Sequence, residues 1–134
     1  MKSEVYIFVG AFGSREQACA YTESWWEPEP DDSASDEEYR IWEDRNPIWQ
    51  MREDLGVYLD SDFIETIFGP DRFDYLRTLL VDSADLDRVI NTADAGADTI
   101  VLIFKEALGG FENTLKSNPI LTYCGVFSCD LGIL

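Results

Sequence analysis

The spacing of apolar positions changes several times along the chain, and each spacing predicts an element. Val5-Tyr6-Ile7-Phe8-Val9 is a continuous β-branched and aromatic run ending at Gly10, the pattern of a buried strand. After the turn Gly10-Ala11-Phe12-Gly13, Ser14 and Gln17 form a capping box. Ala18, Tyr21 and Trp25 then recur at helical spacing, so a helix is predicted over 15–25. Pro28 and Pro30 stop it. A loop follows, and Tyr39 and Trp42 mark a short helix. Asn46-Pro47 opens another helix, with Asn as cap, Ile48, Met51 and Leu55 as its stripe and Gly56 as its stop. Val57-Tyr58-Leu59 reads as a short edge strand, and 60–68 as a capped helical turn reaching Phe68. Gly69-Pro70 starts a helix with Phe73, Leu76 and Leu80 on one face. Asp82-Ser83 caps the next, striped by Leu86, Val89, Ile90 and Ala93 and ended by Gly96. Thr99–Phe104 is the strongest strand pattern and predicts a central strand. A long connection over 105–118 contains Gly109-Gly110, and Ile120–Phe127 is a last strand interrupted at Gly125. Strands near both ends with helices between them predict an α+β fold: a three- to four-stranded mixed sheet covered by several helices as a single pair of layers.

Composition sets the scale. A chain of 134 residues that is 46% hydrophobic can form one domain with a real core, here 1–134. The charge narrows the partners. With 27 acidic and 10 basic residues the formal net charge is −17, which argues against nucleic acid and against anionic membrane surfaces and for a basic protein. Solubility alone also accounts for such a charge. Histidine is absent, which removes Ser-His-Asp, Cys-His and ordinary histidine-based general-base mechanisms. The three cysteines, Cys19, Cys124 and Cys129, are too few and too oddly spaced for a disulfide framework or a zinc site and read as reduced thiols. The run Val5–Val9 is too short for a signal-peptide core and Thr99–Phe104 too short to span a bilayer, so a cytoplasmic location is expected.

Four places could carry chemistry. Asp60, Asp62 and Glu65 begin like a calcium loop but lack its later ligands and its glycine; helix capping explains them as well. Gly10-Ala11-Phe12-Gly13-Ser14 sits where phosphate loops occur, without the third glycine of a dinucleotide fingerprint or the lysine of a P-loop. A glycosidase-type acid pair has no signature among so many carboxylates. The densest feature is the stretch 27–44, where Glu27, Glu29, Asp31, Asp32, Asp36, Glu37, Glu38, Glu43 and Asp44 accompany Arg40 as the one base. Trp25, Trp26, Trp42 and Trp49 lie within or beside it. Helix periodicity assigns Trp25 and Trp49 to the core and leaves Trp26 exposed. Tryptophans beside carboxylates suit hot spots for Lys and Arg. The expected partner-binding residues are Trp26, Asp31, Asp32, Asp36, Glu37, Glu38, Trp42, Glu43 and Asp44, with no cofactor and no metal.

Three blocks together resemble the bacterial immunity protein 22 family of polymorphic toxin systems. They are Val5–Phe12 leading into Ser14–Gln17, Leu55–Glu65 with its Asp62-Phe63-Ile64-Glu65 element, and Leu121–Phe127. The resemblance spans roughly residues 4 to 128, and the acidic stretch 27–44 lies outside its motifs. It implies a non-enzymatic cytoplasmic antidote that binds and neutralises a cognate toxin domain, one that is basic if the acidic face engages it. The alternatives are a regulatory or small-ligand-binding module, with a pocket between sheet and helices, and a metal-dependent carboxylate enzyme using Asp60, Asp62 and Glu65.

Overall fold

A computed structural model describes residues 2–110 and 114–130. Its sheet is built on the first apolar run. Strand β1 (Lys2–Gly10) pairs antiparallel with β3 (Thr99–Phe104) on one side and β4 (Leu121–Asp130) on the other, and β2 (Ile64–Phe68) pairs antiparallel with β3. The order is β2-β3-β1-β4. The α+β class and the four strands are as expected, but the pairings are antiparallel throughout rather than mixed. The β1–β4 ladder opposes Ile7 to Gly125 and Phe8 to Tyr123, so Cys124 is the extra residue of a bulge. Gly125 sits there at φ +127°, which a side chain would resist.

Among the described residues there are five α-helices: α1 (Arg15–Thr22), α2 (Asp36–Arg45), α3 (Gln50–Leu55), α4 (Arg72–Leu79) and α5 (Ser83–Thr92). All but α2 pack on the sheet, on both sides of it. Val5, Ile7, Val9, Ile100, Leu102 and Phe104 pack on Leu76 and Leu79 of α4 and Leu86 and Val89 of α5. From the opposite face, Phe8, Val101, Ile103 and Leu121 meet Tyr21 of α1, Met51 of α3 and Trp49. The expected single pair of layers is therefore three layers. The cause is visible in β3, which is buried at every position and so needs cover on both faces.

Four further elements differ from expectation. Residues 57–59 form no strand, and 61–63 form a short 3-10 turn followed by β2 rather than a helix reaching Phe68. Ile64, Thr66, Ile67 and Phe68 have the β-branched and aromatic character that pairing with β3 requires, whereas 57–59 joins no strand ladder among the described residues. Helix α3 starts at Gln50, not Pro47, because Asn46 is engaged elsewhere. Helix α1, capped by Ser14 accepting from Gln17 N–H at 3.1 Å, stops at Thr22.

Candidate functional site

Between α1 and α3 the chain leaves the body of the protein and returns. Exit and return are clasped by an antiparallel bridge in which Trp25 N–H donates to Ile48 O at 2.9 Å and Ile48 N–H to Trp25 O at 2.7 Å. Residues 26–47 form a lobe on this base. None of the residues of α2 is buried, so the helix is not held by the main core.

The lobe has its own small packing. Trp42 stacks obliquely between Trp26 and Tyr39, with ring centroids 5.5 and 5.3 Å away. Trp42 Nε1 donates to Glu27 O at 3.1 Å, and Tyr39 Oη donates to Glu29 Oε1 at 2.9 Å. Asn46 is the latch. Its buried side chain accepts Glu27 N–H at 2.8 Å and donates to Trp42 O at 2.8 Å, tying the incoming strand to the end of α2. Arg45 pairs with Glu27. Replacing Asn46 by alanine leaves the Glu27 N–H and the Trp42 carbonyl without these partners, at a cost of about 1–3 kcal/mol. The expected outcome of Asn46→Ala is faster hydrogen exchange in α2 with little change in β1 and β3. Equal acceleration in both regions would show that the lobe does not open by itself.

The expected site residues all lie on this lobe. Asp36, Glu37 and Glu38 occupy the first turn of α2, where Ser35 Oγ accepts Glu38 N–H at 3.1 Å and the helix dipole favours negative charge. Glu43 and Asp44 lie at its other end, and Asp31 and Asp32 in the loop before it; all seven acids are exposed. The Ser33 hydroxyl, with the Ser33 N–H, holds the Asp31 carboxyl below the usual carboxylate range. Trp26 is 57% exposed, as expected. Trp42 is half-buried and acts chiefly as the lobe's internal packing. Trp49 is buried and donates Nε1 to Thr22 O at 2.7 Å. Trp25 corrects the helical stripe: it is 45% exposed, because α1 ends before it and its backbone is drawn into the bridge to Ile48. Periodicity did not single out Ile41, which is 54% exposed on α2, nor the latch role of Asn46. The available signal for Ile41 was a lone aliphatic residue in an otherwise charged and aromatic helix.

The remaining places are accounted for by the fold. Asp60 Oδ1 accepts Asp62 N–H at 3.0 Å, capping the 3-10 turn, while Glu65 stands on β2 and accepts from Tyr75 Oη at 3.1 Å. Among the described residues no group of three or more acidic or thiol side chains is arranged to hold a metal ion. In the Gly10–Gly13 turn, the backbone donors that would face a phosphate are already taken. Asp98 accepts Phe12 N–H at 3.0 Å and Gly13 N–H at 2.8 Å, and Thr99 Oγ1 at 2.8 Å. Partial burial pushes the Asp98 carboxyl up, but these hydrogen bonds outweigh it and hold its pKa below the ordinary carboxylate value. Its folded pKa is lowered, so its stabilising contribution is complete above the unfolded value of about 3.9 and is lost as pH falls through the folded value. Acid titration is expected to unfold the protein partly through this group. Asp98→Asn should flatten that limb; an unchanged acid limb would remove Asp98 from the account.

All three thiols are free, and burial pushes the Cys124 thiol up to about 11. A cleft of about 330 Å³ opens beyond the end of β1, lined by Gly10, Ala11, Asp94 and Ile120, and another of about 260 Å³ lies between the end of α1 and β2, lined by Thr22, Ser24, Ile64 and Thr66. Among the described residues no helix is long and apolar enough to cross a membrane. Comparison of the chain with protein-family models, with curated proteins and with solved structures finds no match in any of the three.

Proposed function

We propose that this chain is a cytoplasmic immunity protein that binds and neutralises a cognate toxin domain, using the acidic lobe at 26–47 as its contact surface and catalysing no reaction. The observation that carries this reading is the lobe itself. It is a separately latched projection, outside the main core, that carries both exposed carboxylates and the accessible ring of Trp26. A toxin that acts on nucleic acid must be basic around its substrate channel, and an acidic projection has the sign and shape to occupy it. Charge would set a fast encounter, and the aromatic ring would slow release. The motif resemblance of residues 4–128 to immunity protein 22 supplies the biological setting.

The test is co-expression with the basic C-terminal domain of a toxin encoded beside this chain. The expected outcome is restored growth of the host cell and a one-to-one complex of the purified proteins. Equal killing with and without the chain, together with no complex, would overturn the reading.

A further inference from the structure

Helix α2 has two unlike sides. Tyr39 and Trp42 face the lobe's interior, where they stack and donate to Glu29 and to the Glu27 carbonyl. Glu37, Ile41 and Asp44 follow at i, i+4 and i+7 along the other side, and all three are exposed. Arg40 lies at the margin of that side. An apolar residue at the centre of a charged stripe is the arrangement by which a helix lies in a groove with one anchor. The charge selects the occupant. A second copy of this chain would bring the same carboxylates against themselves, and a phosphate backbone would be repelled in the same way. A cationic protein surface is the complement that remains.

We infer that α2 docks lengthwise in a basic groove of its protein partner, with Ile41 filling an apolar pocket and Glu37 and Asp44 pairing with Lys or Arg on the rims. This inference rests on the partner-binding reading above and names the side of the lobe that engages. Two synthetic peptides serve as probes: oligoarginine, and the same peptide with a central Leu-Leu pair. Each is titrated into the isotope-labelled whole chain and followed by nuclear magnetic resonance. Both are expected to shift the amides of 36–45, and the leucine-containing peptide should bind about tenfold more tightly, the order of effect of one buried aliphatic anchor. Ile41→Asn should abolish that difference; its exposed position lets the variant fold, which the amide spectrum verifies. Equal affinity of the two peptides, or a difference that survives Ile41→Asn, overturns the anchor while leaving the acidic lobe as the contact surface. Shifts centred away from the lobe overturn both.

Discussion

Reversing Asp32, Glu37, Glu43 and Asp44 to lysine is expected to weaken binding of the basic partner by at least about a hundredfold, mainly through slower association. The reason is additive charge at one exposed place. These four acids are exposed, and none makes a side-chain hydrogen bond on which the lobe's latch at Asn46 depends. Glu37→Lys opposes the dipole of α2 at a cost of about 0.3–1 kcal/mol, but relief of self-repulsion in a chain of net charge −17 acts in the other direction. Thermal stability should therefore hold or rise while affinity collapses. The affinity that remains should also depend less steeply on salt, because fewer screened interactions contribute to it. Titration of wild type and variant at low and physiological ionic strength checks both points. Unchanged affinity with an unchanged salt dependence would mean that the partner meets another face.

Trp49→Ala and Trp26→Ala are expected to separate stability from binding. Trp49 is 8% exposed, packs with Phe8, Met51 and Val101, and satisfies the Thr22 carbonyl at 2.7 Å. Its removal opens a cavity and orphans that carbonyl, for a loss of about 3–5 kcal/mol. That is a large share of the roughly 5–15 kcal/mol that holds a domain of this kind folded. Trp26→Ala removes the ring contact with Trp42, worth about 0.5–1.5 kcal/mol, and that loss falls within the lobe. As a hot spot for the partner it should cost about 2 kcal/mol or more in affinity. Urea denaturation and calorimetric titration of the two variants measure the contrast. If Trp26→Ala unfolds the protein and leaves binding intact in the surviving fraction, the roles assigned to the two rings are wrong.

Elements whose evidence is local were legible in the sequence. Strands β1 and β3 are marked by unbroken apolar runs, α5 by its stripe and by Asp82, whose carboxylate accepts Ala84 N–H at 2.9 Å. The exposure of Trp26 was expected from two adjacent rings sharing one helix, but α1 stops at Thr22 and both rings are exposed, so the outcome held and the reason did not. What failed depends on pairing between distant residues. Nothing within Val57-Tyr58-Leu59 says that no strand will lie beside it, and nothing within Ile64–Phe68 says that β3 will. The exposure of Trp25 is decided by Ile48, far along the chain. The acids of the candidate site were legible as composition, but not that they ride on a separately latched lobe, because the latch joins Glu27, Trp42 and Asn46 across a turn. The third layer was hidden for a similar reason: β3 is apolar on both faces, which the sequence reports as strength of pattern rather than as a count of neighbours.

The clasp between Trp25 and Ile48 has an evolutionary consequence. Two chain ends held side by side make a socket, and what is plugged into it can change without redrawing the sheet. Loop-closure entropy grows so slowly that doubling the inserted length costs only about 0.6 kcal/mol. Descendants of this chain can therefore lengthen, shorten or recharge the segment between those ends, while the body that presents it stays under ordinary selection for folding. Transplanting 26–47 between such chains would then carry recognition with it, as an exchangeable cassette.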